Sequence, residues 1–416
     1  MWLWCPGGGL TDLPRQVDVL IAGAGPAGSA TATLLARSGC SVLAADRAAF
    51  PRDKACSEYM SPETVRILSR LGVVAALERA GGVALEGLNI TAPRGASAHG
   101  RFARTLHSPF RPTGLSISRR ILDHELVLAA RAAGAAVAER TFVEELLYDR
   151  GAVTGAVLRD HTGRRHSIRA RLTVGADGLR SIVARRIGHR THGKPHRVAF
   201  VAHMTGVRDM GLSAELHFRR PGYVGLNPIG QGRTNVALVV PTERAASARG
   251  RVEQFFFDTL GEFPDIHQRV TAGEVVRPVL ATGPFAAWSG RVVAPGALLV
   301  GDAADFFDPY TGDGIYSALR GAELVAETMV PALGGSGATL PNALLEYRRM
   351  RRQVFAGKWI LERLIGWSMY FPRLFERGVS RIGRRDGMAD TLIGAAGGFV
   401  PVREVLNPRF LARMIV

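Results

Sequence analysis

The sequence predicts an α/β protein with three parts: a discontinuous domain built on a parallel sheet, an inserted antiparallel sheet, and a C-terminal helical region. Three observations lead there. Residues 17–22 form a short apolar run suited to a strand buried on both faces, and glycines follow at G-x-G-x-x-G spacing, Gly23, Gly25 and Gly28. Two more glycine-aspartate turns, Gly175-Ala176-Asp177-Gly178 and Gly301-Asp302-Ala303-Ala304, also follow apolar strands. Residues 198–240 carry short strand-like stretches divided by Gly and Pro, the pattern of an antiparallel sheet. The first domain is expected over 1–84, 113–192 and 280–340. The inserted sheet takes 85–112 and 193–279, and the helical region 341–416.

In chain order, Gly23 permits the tight turn out of the first strand. Gly25 lets backbone amides reach a phosphate with no Cβ in the way, and Gly28 lets the next helix lie close. Pro26 and Ala27 lie within this turn. The helix stops at Ser38-Gly39, and its N-terminus offers free N–H groups and partial positive charge to an anion. A second strand, 41–45, runs into Asp46-Arg47, roughly 20 residues beyond the glycines, where a carboxylate accepts ribose hydroxyls. Strand, glycines, helix and acid together predict dinucleotide binding, without separating FAD from NAD. Ser61-Pro62 caps a helix over 64–71, and 81–110 leaves for the second sheet. A helix over 121–133 ends at Gly134. Strands are expected at 137–147, 152–158 and 168–174, then a helix over 180–187. The inserted sheet takes strands 199–206, 214–218, 223–228 and 235–240, and a helix over 251–260. Strand 297–300 and helix 315–330 complete the first domain. From 341 the tail reads as helical at first and then irregular.

The chain has 416 residues, 47% of them hydrophobic, enough for two or three domains with sizeable cores. No apolar run is long and uncharged enough to span a bilayer. Residues 1–10 lack the basic and apolar regions of a signal peptide and read as a loose tail. Cys5, Cys40 and Cys56 make neither a disulfide framework nor a metal cluster, which fits a reducing cytoplasm. The net charge of +17 rests on arginine, with lysine only at 54, 194 and 358. No basic helix with interleaved aromatics points to nucleic acid.

The three glycine turns, with Asp308-Pro309 and Gly312-Asp313-Gly314-Ile315 after the third, resemble the FAD-binding pattern of the p-hydroxybenzoate-hydroxylase-like flavoproteins. The resemblance covers roughly 16–330 in the family's order and implies a Rossmann-like FAD-binding domain. It implies that Asp302 bonds the ribityl chain. Gly312, Gly314 and Ile315 would present amides to the flavin pyrimidine ring, stabilising the charge that appears there on reduction. Asp177 and Gly178 would lie near the pyrophosphate, and Arg119 would reach the cofactor. Read as plain residues, Asp177 and Asp302 are also compatible with turn caps, and Arg119 with a surface ion pair. No second G-x-G-x-x-G marks a nicotinamide domain, so the resemblance implies NAD(P)H that docks transiently or a partner flavin reductase.

Lys54-Ala-Cys56-Ser-Glu-Tyr-Met-Ser-Pro62 and Asp308-Pro-Tyr-Thr-Gly-Asp-Gly-Ile are similar to the geranylgeranyl-reductase-like subgroup. The W-x-W-x-I-P stretch of flavin halogenases is missing; Pro221-Gly-Tyr-Val-Gly-Leu-Asn-Pro228 stands there, without tryptophan, which argues against halogenation. Asp305 stands where simple aromatic hydroxylases often carry histidine. Cys56 is a candidate near the flavin, with an inert buried thiol as the alternative. Tyr223, Tyr310 and His217 are candidates to orient substrate, with packing as the alternative. Phe355, Trp359, Leu364, Trp367 and Phe371, with arginines nearby, suggest a cover over an apolar channel, a membrane-surface helix, or a helix packed on the core. The expected activity is an FAD-dependent monooxygenase, acting through a flavin hydroperoxide on a hydrophobic, polyketide-like or carrier-borne substrate. A reductase of carbon–carbon double bonds is the alternative, and a non-catalytic flavin-binding protein a third reading.

Overall fold

A computed structural model describes residues 13–415 except 106, 195 and 336; the expected N-terminal tail and Cys5 lie outside the described residues. The strand Gln16–Ala22 is buried on both faces from Val19 onward and pairs in parallel with Val42–Ala45 on one side and Arg165–Gly175 on the other. Ala136–Ala138 extends the sheet beyond the second strand, and Ala297–Leu299 extends it beyond the third, both in parallel. Helices Pro26–Arg37, Arg119–Ala132 and Gly314–Leu333 close one face around Val19, Ile21, Leu35 and Leu319. The antiparallel strands Phe142–Asp149 and Ala152–Arg159, with helix Ile182–Ile187, close the other. Such a sheet leaves ligands one place to bind, the carboxyl ends of its strands.

The expected single strand over 137–147 is two strands. Arg140 takes a left-handed φ of 51° between them, and Arg140 and Thr141 donate backbone bonds to Ala48 and Asp46 instead of continuing the ladder. Helix Pro62–Leu71 starts as expected, with the Ser61 hydroxyl accepting from the Thr64 amide. The expected helix over 180–187 begins at Ile182, after a 3-10 turn over Gly178–Arg180.

Segments 87–101 and 197–282 form a seven-stranded second sheet, antiparallel except where Ser213–Arg219 runs alongside Gly87–Thr91. Its outer face is covered by helices Val252–Leu260 and Pro264–Val270; its inner face, with Val201, Phe218, Tyr223 and Ala237, meets the loop that follows the third glycine turn. The tail is helical throughout, which corrects the expected irregular end: Leu340–Ser368 is followed by Pro372–Arg384, Met388–Ala396, Arg403–Leu406 and Pro408–Ile415. Val379, Ile382 and Met388 pack with Ala98 and Phe410, so these short helices gain stability from burial and not from length. Among the described residues, no helix is long and apolar enough to cross a membrane.

Strand alternation places His217 on the outer face with Glu215, away from the inner face carrying Leu216 and Phe218. The His217 ring lies 2.7 Å from the Glu215 carboxylate, which also accepts from Arg269. The expectation that His217 orients substrate is therefore corrected. Burial alone would raise the Glu215 pKa, but the bonds from His217 and Arg269 hold it down at about 2. A carboxyl lowered on folding adds stability above its unfolded pKa and loses it as pH falls toward 2. Glu215→Gln is expected to cost on the order of 2–3 kcal/mol near neutral pH, with the difference from wild type shrinking as pH drops through 4 toward 3, in urea melts at each pH.

Candidate functional site

The three glycine turns meet. Gly23 has φ +93°, and a Cβ on it would stand 2.6 Å from the Ala176 carbonyl oxygen, so the first turn lies directly on the second. The Ala176 amide donates to the Ala22 carbonyl at 2.8 Å, and Val300 donates to Gly175 at 2.9 Å, which ties in the third. Gly301 lies against Ala27 and Ala318. A Cβ on Gly28 would fall 1.9 Å from the Gly23 carbonyl oxygen, so the helix starts this close only because Gly28 has none. Gly25 differs: a Cβ there would meet only the end of the flexible Arg52 side chain, at 3.5 Å. Among the described residues no backbone neighbour explains Gly25, and the space above it suits an approaching pyrophosphate.

Asp46 is buried, and its carboxylate accepts from the amides of Ala24 and Ala48 at 2.8 and 2.9 Å. It fastens the second strand to the glycine turn, with exposed Arg47 beside it. Asp177 uses one oxygen to cap the next helix, accepting from Ile182 at 2.7 Å, and its other oxygen is buried without a partner. Burial raises its pKa. Asp302 is half-buried and faces Lys54, Arg119 and Arg190; burial raises its pKa and these cations oppose the rise. Arg190 clamps the third turn from behind, donating to the Ala303 and Asp302 carbonyls at 2.7 and 2.9 Å.

Arg119 is in an ion pair, but a buried one. It grips Asp123 with two bonds of 2.7 and 2.9 Å, and Arg52 approaches the same carboxylate at 3.1 Å. Burial disfavours the Arg119 charge, yet Asp123 and the nearby Cys56 hold its pKa above the ordinary value. Lys54, exposed at its surface yet crowded by protein near Arg119 and Asp302, is in the opposite situation: desolvation and the neighbouring arginines push its pKa down. Segment 52–56 thus runs from Arg52 beside Gly25, past Lys54 near Asp302, to Cys56 beside Arg119. Helix Gly314–Leu333 starts behind Asp313, and Thr311 donates to Asp313 at 2.9 Å.

A family model described as an FAD binding domain matches residues 16–358. The chain belongs to the FAD-binding, p-hydroxybenzoate-hydroxylase-like flavoproteins. It is 28% identical over 389 residues to conditioned medium factor receptor 1 of Dictyostelium discoideum, covering 88% of this chain and 74% of that one. It is 29% identical over 331 residues to menaquinone reductase of Mycolicibacterium smegmatis, covering 76% of each. It is 28% identical over 381 residues to digeranylgeranylglycerophospholipid reductase of Methanospirillum hungatei, covering 89% of each. Solved structures share the fold. A flavoprotein/dehydrogenase from Cytophaga hutchinsonii superposes with a TM-score of 0.82 at 20% identity, covering 96% of this chain and 97% of that one. The myxobacterial chondrochloren halogenase gives 0.79 at 22%, covering 93% and 100%.

In this flavoprotein, the residues present fit FAD: an open approach at Gly25, acids at both ends of the cleft, and a helix N-terminus at its far end. The catalytic candidates fare differently. Cys56 is half-buried beside Arg119, its sulfur accepting from the Glu58 amide at 3.4 Å. Tyr223 donates to Asp308 at 2.6 Å, and Arg197 holds the same carboxylate at 2.7 Å. The Tyr310 hydroxyl donates to the Glu362 carbonyl. Both tyrosine hydroxyls thus donate to groups that anchor the loop before Gly312, and Tyr310 also lines the groove beside it. The residues missed are Asn227 and Asn235, on the inner face of the second sheet. Their amide nitrogens hold the Ser57 and Cys56 carbonyls, while both side-chain oxygens are buried and unpartnered beside a groove reaching Gly312. Asparagine at inward positions of otherwise apolar strands was the available signal.

Helix Leu340–Ser368 clamps the loop that follows the third turn. Lys358 pairs with Asp313 at 2.8 Å, and Arg351 with Asp305 at 2.7 Å. Phe355 and Leu361 face the core, while Ile360, Leu364 and Trp367 are exposed along one stripe, and Phe371 is exposed beyond the helix. Gly28→Ala is expected to destabilise the protein by about 3 kcal/mol or more, because carbonyl and methyl cannot share the space. Gly25→Ala should melt like the wild-type apoprotein and bind FAD at least about tenfold more weakly, as read by calorimetric titration.

Proposed function

We propose that this flavoprotein is a reductase that saturates a carbon–carbon double bond in an apolar, isoprenoid-like substrate. Electrons come from NAD(P)H, directly or through a partner reductase. The observation that carries this reading is the groove between the second sheet and the Gly312 turn. Leu88, Leu216, Ala237 and Tyr59 line it, and the paired carbonyls of Asn227 and Asn235 are its unsatisfied polar groups. Such a groove binds hydrocarbon by burial and orients it with a few polar atoms. Two of the curated relatives reported above are named as reductases of lipid-like molecules, which supports the same class.

The cofactor would lie along the cleft, with Asp46 on the adenosine ribose, the amides after Gly25 on the pyrophosphate, and Asp302 on the ribityl chain. Bound FAD supplies hydride chemistry. The amides at Gly312, Gly314 and Ile315, at the helix N-terminus, would stabilise negative charge on the ring. Saturation adds one hydride and one proton to the alkene. Cys56, between Arg119 and the groove, is placed to hold that proton. The apolar walls keep water out, which an oxygen-inserting enzyme needs equally, so hydroxylation or epoxidation is the second reading.

The two separate on product. The FAD-loaded protein, a polyunsaturated isoprenoid lipid with no other reducible group, and NADPH under nitrogen are expected to give a product heavier by two hydrogens, detected by mass spectrometry. Product formed only in air and heavier by one oxygen atom would favour the monooxygenase. Consumption of NADPH with neither product would remove both for that substrate class.

A further inference from the structure

The edge strand of the second sheet, Glu274–Thr282, pairs irregularly with Arg197–Thr205. Val201 faces Leu280, His203 faces Arg277 and Met204 faces Val275, with register shifts on both sides of His203. In a regular strand Arg277 would share a face with Val275 and Val279, which pack under the outer helices. The bulge turns it instead to the inner face, opposite His203 and toward segment 53–58. Re-aiming one side chain is what bulges beside binding sites commonly do.

Arg277 is 8% exposed, and none of its three guanidinium nitrogens has a hydrogen-bond partner among the described residues. Two acids act on it from a distance. Glu58 accepts from the Arg119 amide at 2.8 Å with one oxygen, and its other oxygen lies 2.8 Å from the His203 ring without a hydrogen bond. Asp53 is exposed and pairs with Arg120 at 3.4 Å. A guanidinium stays charged and presents a planar fork that matches a carboxylate or phosphate. A buried cation without a counter-ion is costly, and an arriving anion removes that cost. Segment 56–58 runs between Arg277 and the apolar groove: Asn227 and Asn235 hold its carbonyls on one side, and His203 lies beside Glu58 on the other.

We propose that Arg277, beside His203, receives an anionic head group, a carboxylate or phosphate, on a substrate whose apolar body lies in the groove. This rests on the reading of the groove as the substrate site. It makes the substrate an amphiphile, and it makes Arg277 the residue that selects the acid over the corresponding alcohol.

The test uses the FAD-loaded protein and two probes, dodecyl phosphate and dodecanol, titrated while the flavin absorption band is followed. Wild type is expected to bind the phosphate at least about tenfold more tightly than the alcohol. Arg277→Met should abolish that preference and leave dodecanol binding unchanged, and Arg277→Lys should restore part of it. An equal preference in wild type and Arg277→Met, or none in wild type, overturns the proposal. So does a parallel loss for both probes in Arg277→Met, which would mean that Arg277 only supports segment 56–58. The donor is checked in the same variant. A rise in the NADPH concentration needed for flavin reduction, with the probe preference intact, would assign the anion to the donor and overturn the substrate assignment. A protein that takes up no flavin defeats the oxidoreductase reading as well. A yellow protein without the preference defeats only the role of Arg277.

Discussion

The site depends on backbone packed against backbone. Gly23 against Ala176, Gly28 against the Gly23 carbonyl and the Val300 amide on the Gly175 carbonyl bring three strand ends within contact. No side-chain interaction could replace these approaches, because any Cβ at Gly23 or Gly28 would occupy the space of a neighbouring carbonyl. The cleft along Gly25, Lys54, Asp302 and Gly312 follows from that packing. The acids and arginines around it then act at fixed positions.

A second layer holds the far end. The loop before Gly312 packs Phe306, Phe307 and Tyr310 against the second sheet and is pinned further by charge and hydrogen bonds: Asp308 by Tyr223 and Arg197, Asp305 by Arg351, and Asp313 by Lys358. Burial pushes the Glu362 carboxyl well above its usual pKa, and nearby Lys358 opposes that rise. Helix Leu340–Ser368 is therefore part of the site's scaffold, although it supplies no turn of the fingerprint. Its exposed stripe of Ile360, Leu364 and Trp367 is a separate face of the same helix.

Much of this was legible in the sequence where the cause is local. The first strand, its glycines, Asp46 and the Ser61 cap are each dictated by neighbours a few residues away. The convergence of the turns was legible through the family pattern, since spacing alone says nothing about contact over such separations. What escaped depends on distant partners. Tyr223 and Tyr310 look free until Asp308 and the Glu362 carbonyl are placed beside them. His217 was misplaced although the apolar Leu216 and Phe218 on either side indicated which face it avoids. Arg277 could not have been found, because a bulge reverses the alternation that sequence reading relies on. The break in 137–147 and the late helices likewise rest on tertiary contacts, at Ala48 and Ala98, that override local propensity.

The most direct test asks whether the two ends of the cleft hold one molecule. Apoprotein carrying Asp46→Ala or Asp302→Ala is titrated calorimetrically with ADP, FMN and FAD. If one dinucleotide lies along the cleft, Asp46→Ala weakens ADP and FAD, Asp302→Ala weakens FMN and FAD, and each spares the other half. FAD binding indifferent to either substitution, or ADP binding lost with Asp302→Ala, would contradict the account.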